Sequence, residues 1–303
     1  MASKVYSGIR KKCIFESCCI LTQMQKTKDS EKVRFCLLVF GNMGAPGIIS
    51  FKSILEVNRA RVCVLANISG RNWIESILES VDGKSRICFH EPDSDMKMKL
   101  LNSKSYSEFG SKNFAEITFL KWDLLLQTLN ENDQNIIVFS DLDVYWKRDP
   151  SYELKSLLVG SKNAAIQQDF NKLGSKFCTG IMAWKNTILS KKLISEIRQF
   201  NLEILVKNPS LTDENALNSW YKRSKSKDYF IFLPTEKFII GHRIIHLILG
   251  ISGFNLKKFV AFHANYCIGE VNKSIMLDIA SLEKTNILKV FTSFVAILKV
   301  KFF

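Results

Sequence analysis

The sequence lacks the features that mark several protein classes. No two of its eight cysteines stand at Cys-x-x-Cys spacing, although such pairs are typical of zinc sites and redox motifs. No uninterrupted apolar run reaches the roughly 18 residues that a membrane-spanning helix needs. We therefore expect reduced thiols, no disulfide framework, no structural zinc site and no transmembrane segment.

Acidic residues are scarce relative to basic ones. The chain has 29 Asp and Glu against 43 Lys and Arg, and its formal net charge is +14. This excess favours an anionic partner, such as a nucleotide, a nucleic acid or a membrane surface. The basic residues are spread along the chain and form no stripe interleaved with aromatic residues, so we do not expect a nucleic acid partner.

Neither end of the chain has a clear structural pattern. Residues 1–30 show no regular period, and Glu16 interrupts the apolar stretch that follows Arg10. We therefore interpret this part as an extension without a signal peptide, and expect a cytoplasmic protein. Residues 281–303 are apolar with interspersed lysines, which indicates an amphipathic tail. That tail either packs on the core or makes a weak contact with a membrane surface.

The most informative stretch is residues 136–150. Its first four residues are apolar and mostly β-branched, which predicts a strand buried on both faces. Asp141 and Asp143 follow at the carboxyl end of that strand, where ligands bind in open α/β sheets. Two carboxylates held together repel each other unless a proton or a cation lies between them. We therefore expect Mg²⁺ or Mn²⁺ here; a simple strand-end turn is the alternative.

A glycine-rich loop follows the first predicted strand. Gly41, Gly44 and Gly47 separate that strand from a predicted helix, and this order is typical of nucleotide-binding units. Their spacing matches neither the dinucleotide fingerprint nor a P-loop. The loop is therefore a weak phosphate-binding signal, and an ordinary connection is the alternative.

Strand and helix patterns alternate as far as residue 140. This order predicts right-handed crossovers and a mostly parallel sheet flanked by helices, which is an α/β fold of the Rossmann-like kind. After Pro150 the pattern becomes more mixed. The predicted strands are 33–40, 61–66, 85–89, 136–139, 164–168, 177–184, 229–233 and 258–263, and the predicted helices are 48–58, 73–80, 114–129, 188–205 and 213–221.

Six pieces of the sequence, in order, resemble the nucleotide-diphospho-sugar transferases. These are glycosyltransferases of the GT-A fold, and the likeness is to the retaining families. It covers about residues 34–277. The pieces are Lys121 on the helix before the key strand, Asp141-Leu142-Asp143, Thr179-Gly180-Ile181-Met182, Asp213-Glu214, Leu233-Pro234 with Phe238 and Gly241, and His263 with Gly269 and Lys273.

The resemblance implies a metal-dependent transfer of a sugar from a UDP- or GDP-sugar, with retention of configuration. The acceptor would be a hydroxyl of a glycan, a protein or a small molecule. Three groups of residues are implied: Asp141, Asp143 and His263 as ligands of Mn²⁺ or Mg²⁺; Lys121, Asp141, Gly269 and Lys273 as donor-binding residues; and Asp213, Glu214 and Gln168 as residues of the catalytic pocket.

Each assignment has a plainer alternative. His263 could be a structural core histidine, Lys121 and Lys273 could be solvated lysines, and Asp213 could be a helix-capping carboxylate. Glu214 also departs from the family pattern, which usually has Gln there. Cys178-Thr179 likewise replaces the family's usual pair, so both departures concern the acceptor pocket.

The sequence shows no internal repeat and no flexible linker, which indicates a single domain. We expect a single GT-A-type domain over residues 31–280, with a nucleotide-binding half at 31–150 and a smaller, mixed acceptor half at 151–280. Residues 1–30 would be an N-terminal extension and residues 281–303 a C-terminal tail.

Two other functions remain open from the sequence. A haloacid-dehalogenase-like phosphatase also carries Asp-x-Asp after a strand, but it needs Thr or Val two residues after the second Asp, where this chain has Tyr145. A non-catalytic anion-binding module on the same fold would keep the architecture without the chemistry. Metal-dependent binding of UDP or GDP separates these possibilities.

Overall fold

The computed structural model describes residues 33–80, 84–90, 112–131, 135–171, 174–243, 258–265 and 269–281. The predicted extension at residues 1–30 and the predicted tail beyond residue 281 lie outside these ranges. Within them, no helix combines the length and the apolar composition that crossing a bilayer requires.

A seven-stranded sheet forms the centre of the structure, in the order β3-β2-β1-β4-β7-β6-β8. Strand β7 is antiparallel to both of its neighbours, whereas the other four pairings are parallel. The predicted α/β class and the mostly parallel sheet are confirmed. The strands are β1 (Arg34–Val39), β2 (Val62–Ala66), β3 (Ile87–Phe89), β4 (Ile136–Ser140), β5 (Val144–Trp146), β6 (Ala164–Asn171), β7 (Gly174–Lys185), β8 (Phe230–Leu233), β9 (Phe238–Ile240) and β10 (Ala261–His263).

Helices cover both faces of this sheet and form two apolar cores. One core includes α1, α2 and α4, and the other includes α3, α5 and α6. This arrangement explains why β4 is buried along its whole length. The helices are α1 (Gly44–Val57), α2 (Ile68–Leu78), α3 (Lys112–Glu131), α4 (Ser151–Leu157), α5 (Ile188–Lys207), α6 (Asp213–Arg223) and α7 (Glu270–Ser281).

Helices α1 and α2 begin four and five residues earlier than predicted, and α3 begins two residues earlier. Helix α1 begins at Gly44 and accommodates Pro46 in its first turn, where the missing N–H of proline leaves no bond within the helix unmade. Helix α2 begins at Ile68 because the side chain of Asn67 accepts a hydrogen bond from the N–H of Gly70. Such a cap satisfies a backbone donor that the helix itself cannot satisfy.

A second sheet of three strands, in the order β5-β10-β9, was not predicted. Each of these strands has only three residues, and β10 alone was predicted, as the end of the strand at 258–263. Strands β5 and β9 are too short for a periodic signal. The pairing of β5 with β10 joins segments more than 100 residues apart, since Val144 lies opposite His263. Helix α7, which was also not predicted, packs with this sheet in a third apolar cluster.

The small sheet is attached to helix α1 and to the carboxyl end of β4. The hydroxyl of Ser50 donates to the carbonyl of Val144 over 2.7 Å, and the N–H of Trp146 donates to the hydroxyl of Ser53 over 3.0 Å. The indole N–H of Trp146 donates to the hydroxyl of Ser140 over 3.0 Å. These bonds fix the segment between β4 and β5, which contains both predicted acidic ligands.

We expect Ser53→Ala to lower the free energy of unfolding by about 1–3 kcal/mol, because it leaves the buried N–H of Trp146 without its acceptor. Urea denaturation measures this change. The control is Ser156→Ala, which removes an exposed bond of a serine to its own helix and should cost less than about 0.5 kcal/mol. Equal losses in the two variants would show that the attachment of the small sheet carries no extra stability.

Candidate active site

Asp141 and Asp143 lie where the order of the central sheet reverses. The chain passes from β1 to β2 on one side and later returns as β4 on the other side of β1, and ligands bind at such switch points. The N–H of Asp141 donates to the carbonyl of Gly180 over 2.8 Å, and the carbonyl of Asp143 accepts from the N–H of Ala264 over 2.9 Å. The loop is thus held between β7 and the end of β10.

The carboxylate of Asp143 contacts two cationic side chains. His263 Nε2 lies 3.1 Å from Oδ1, and Lys273 Nζ lies 2.6 Å from Oδ2. Burial alone would raise the pKa of Asp143, but the charges of His263 and Lys273 outweigh it and hold that pKa well below its ordinary value. The carboxylate is therefore ionised, and its charge is compensated from the C-terminal part of the chain.

His263 is buried beside this carboxylate, with 3% of its surface exposed. Burial lowers its pKa, but Asp143 and then Cys178 raise it, and the net result is a pKa well above the ordinary value. The ring also lies against the backbone of Gly180, because a Cβ added there would be 2.1 Å from the imidazole Cε1. The glycine in the predicted Thr-Gly-Ile-Met strand therefore makes room for His263.

Lys121 is buried in α3, so the alternative of a solvated lysine is wrong. Its ammonium lies 2.8 Å from Asp213 Oδ2 and 3.7 Å from Asp141 Oδ1. Burial lowers the pKa of Lys121, but Asp141 and Asp213 outweigh it and hold this pKa above its ordinary value. The ammonium of Lys121 thus joins the carboxylates of Asp141 and Asp213, which belong to separate sequence motifs.

The first turn of α6 supplies Asp213 and Glu214. The side chain of Thr212 caps this helix by accepting from the N–H of Asn215, so the alternative of Asp213 as the cap is wrong. Glu214 Oε1 lies 2.7 Å from Lys176 Nζ, and the same ammonium lies 3.3 Å from Asp169 Oδ2. The glutamate that departs from the family pattern is therefore balanced by a lysine on β7.

Gln168 and Gly269 occupy different surroundings from the acidic cluster. Gln168 lies opposite Phe177 in the β6–β7 pairing, and its neighbour Gln167 contacts His263. Successive strand residues point to opposite faces, so the two glutamines face different sides of β6. Gly269 has φ +89°, a backbone conformation that favours glycine, and it directly precedes α7, one turn before Lys273.

The glycine-rich loop approaches this region through Glu270. Glu270 Oε1 accepts a hydrogen bond from the N–H of Ala45 over 3.0 Å. A Cβ on Gly44 would be 2.2 Å from that carboxylate oxygen, so Gly44 permits the close approach. The start of α7, which carries Lys273, is thereby tied to the loop that follows β1.

Sequence reasoning assigned no site role to several residues that contact the predicted ones, although Thr179 belongs to one of the motifs. Gln167 accepts from His263, the hydroxyl of Thr179 lies 3.3 Å from Lys121 Nζ, and Lys176 pairs with Glu214. Each contact joins residues at least 38 positions apart. No spacing rule in the sequence identifies such distant partners. The only signal was that each of them lies close in sequence to a residue of a predicted motif.

Asp141, Asp143 and His263 form a group that suits a divalent cation. One ligand atom from each residue lies within 4.8 Å of the other two, and no second group of this kind occurs among the described residues. Carboxylate oxygens suit Mg²⁺ and Mn²⁺, and an imidazole nitrogen suits a transition-metal ion. The residues present therefore fit the expected cation in number, kind and proximity.

The fold is that of known glycosyltransferase structures. The apo form of mouse xyloside xylosyltransferase 1 aligns with a TM-score of 0.54 at 13% identity, over 78% of this chain and 98% of that one. The WbbM bifunctional glycosyltransferase aligns with a TM-score of 0.52 at 12% identity, over 86% of this chain and 51% of that one. GlyE of Streptococcus pneumoniae TIGR4 aligns with a TM-score of 0.52 at 16% identity, over 86% of this chain and 63% of that one. At these identities the likeness concerns the fold.

The family follows from the sequence itself. The model of the nucleotide-diphospho-sugar transferase family matches residues 83–277, more than half of the chain. The protein belongs to this family and is a glycosyltransferase. No curated protein sequence matches it. The phosphatase alternative is wrong, because the matching family transfers sugars.

We expect the ion pair of His263 to make the metal-free protein less stable as the pH rises. The pKa of His263 is raised in the folded state, so its contribution is complete below the unfolded value of about 6.5 and is lost as the pH approaches the folded pKa. In EDTA, the unfolding free energy should fall as the pH rises above about 6.5, by up to about 1.4 kcal/mol per pH unit.

Denaturant unfolding at several pH values measures this slope. The variant His263→Gln is the control, since it lacks the titrating group and keeps the other histidines. It should show a shallower slope than the wild type. Parallel slopes would mean that folding does not raise the affinity of His263 for its proton.

Proposed function

We propose that the protein moves a sugar from a UDP- or GDP-sugar to a hydroxyl acceptor, that it requires Mn²⁺ or Mg²⁺, and that it retains the configuration of the sugar. The observation that carries this proposal is the meeting of Asp141, Asp143 and His263 at the carboxyl edge of the central sheet. In a nucleotide-diphospho-sugar transferase, that edge is where a bound diphosphate would need positive charge.

Asp143 and His263, together with Asp141, would hold the cation. Once bound, it would neutralise the charge that develops on the nucleoside diphosphate as the sugar leaves. Lys273 now compensates the same carboxylate at 2.6 Å. With a cation bound to that carboxylate, the ammonium of Lys273 could contact the diphosphate as a point charge. Gly269 would allow the backbone before α7 to approach the phosphates.

Asp213 is our candidate for binding the hydroxyls of the transferred sugar. Its ion pair with Lys121, whose ammonium lies 2.8 Å from Oδ2, holds the carboxylate in one position. Because Lys121 also contacts Asp141, the sugar-binding carboxylate and the cation site would move together. Such fixed positioning can be worth several orders of magnitude in rate.

Glu214 and Gln168 would complete the pocket on the acceptor side. Glu214 is partly buried and paired with Lys176, and burial raises its pKa while that lysine lowers it. We divide the domain by function into a nucleotide-binding half, residues 31–150, and an acceptor half, residues 151–280. The central sheet itself continues across that division.

We expect Asp143→Asn to abolish metal-dependent binding of the donor nucleotide. Changes to residues that only support a metal ligand cost about 10–100-fold in affinity, so loss of a direct ligand should cost at least about 100-fold. Calorimetry with UDP and with GDP, with and without Mn²⁺, measures this. The control Asp228→Asn removes an exposed carboxylate outside the cluster and should bind like the wild type. Tight nucleotide binding that ignores Mn²⁺ would overturn the metal-dependent mechanism.

We expect Asp213→Asn to reduce turnover with little change in nucleotide affinity. The amide keeps the shape of the side chain but lacks the charge that pairs with Lys121, so the sugar would be misplaced and kcat should fall about 100-fold. Hydrolysis or transfer from a screened panel of sugar nucleotides gives kcat, and calorimetry with the nucleotide alone gives Kd. Glu203→Gln, on the exposed face of α5, is the matched control. Unchanged turnover in Asp213→Asn would remove this residue from the pocket.

A further inference from the structure

We infer that Gln167 is a positioning residue that holds the imidazole of His263 with Nε2 facing the cation site. This inference rests on the proposed metal-dependent function. Neither the family motifs nor the metal-ligand group includes Gln167.

The amide of Gln167 can adopt one orientation only. Its Nε2 donates to the carbonyl of Ile239 over 3.3 Å, and its Oε1 lies 2.7 Å from His263 Nδ1. Turning the amide over would place its NH₂ group against the ring nitrogen and its oxygen against the carbonyl oxygen of Ile239. Two oxygens in contact cannot form a hydrogen bond, so this orientation is unfavourable. The oxygen can only accept a hydrogen bond, so Nδ1 carries the proton. The other nitrogen, Nε2, then lies 3.1 Å from Asp143 Oδ1.

Gln167 is a polar residue in a core strand, where an apolar residue is the usual choice. Gln167 is completely buried, and its neighbours Ala165 and Ile166 are apolar and equally buried. Burial of an amide costs free energy unless its polar atoms are hydrogen-bonded, so an apolar residue would serve packing better. The two bonds that offset this cost are the bond to β9 and the bond to the imidazole.

An irregularity in the sheet aims Gln167 at the histidine. The β6–β7 register shifts between Ile166, which lies opposite Met182, and Gln167, which lies opposite Cys178. Three residues of β7 are therefore left between these pairs, and Gly180, against which the ring lies, is the middle one. Bulges of this kind commonly re-aim side chains beside active sites.

The other contacts of the ring support the same orientation. Cys178 Sγ lies 3.8 Å from the same Nδ1 and is a weaker acceptor than the amide oxygen at 2.7 Å. Gly180 closes one side of the ring. A metal-binding histidine whose second nitrogen donates to a fixed acceptor is held in place and made more basic. Gln167 has that relationship to His263.

The test compares Mn²⁺ binding by the full chain and by two variants of Gln167. Gln167→Met keeps the approximate size of the side chain and removes the acceptor, whereas Gln167→Glu keeps an acceptor. Titration followed by electron paramagnetic resonance gives the affinity, and electron spin-echo modulation from ¹⁴N reports whether an imidazole is bound to the ion. The control is Gln199→Met, on the exposed face of α5.

We expect Gln167→Met to bind Mn²⁺ about 10–100-fold more weakly and to lose or reduce the ¹⁴N modulation. Gln167→Glu should bind at least as tightly as the wild type and keep the modulation. A purely structural role would lower the melting temperature of Gln167→Met without removing the ¹⁴N signal from the bound ion. Wild-type affinity and modulation in Gln167→Met would overturn the inference while leaving the proposed function intact.

Mn²⁺ binding by the wild type tests the proposed metal dependence separately from the role of Gln167. Absence of Mn²⁺ binding by the wild type would overturn the proposed metal dependence and this inference together. Should Gln167→Met not fold, ¹⁵N spectra of the wild-type histidines with Mg²⁺ give the answer without a variant. They should show a proton on Nδ1 of His263, and an unprotonated Nδ1 would overturn the role of Gln167.

Discussion

The structure of the site depends on one buried negative charge, the carboxylate of Asp143. Only 14% of this side chain is exposed, and an ionised carboxylate so placed is unstable without opposite charge nearby. The chain supplies that charge from His263 and Lys273, which lie at least 120 residues downstream. The small sheet presents His263 and helix α7 presents Lys273, so the need to compensate Asp143 accounts for how the C-terminal elements dock against the central sheet.

The same charges prepare the site for a cation. The carboxylates of Asp141, Asp143 and Asp213 lie beside Lys121, Lys273 and His263. A divalent ion held by Asp141, Asp143 and His263 would add two positive charges to this cluster, and His263 would bind it through an unprotonated nitrogen. Asp143 would then depend less on Lys273 for compensation. The added positive charge would suit the diphosphate of the proposed donor.

The sequence predicted those parts of the structure that a strong local pattern or a recognisable motif encodes. The buried run before Asp141 predicted β4 correctly, and the ordered motifs brought together His263 and Asp143 from distant positions. The small sheet could not be predicted, although its strand β10 was, because its strands have three residues each and β5 pairs with β10 over a long range. Helix α7 was also missed. Gln167 was missed because its importance arises from a register shift, which only the folded pairing of β6 and β7 reveals.

The most direct test is diffraction from crystals grown with Mn²⁺ and UDP or GDP, recorded where manganese scatters anomalously. The account predicts an anomalous peak within bonding distance of an oxygen of Asp143 and of His263 Nε2, with the ammonium of Lys273 moved from Asp143 to the diphosphate. A bound nucleotide with no peak at that position, or with the bond between Asp143 and Lys273 unbroken, would contradict it.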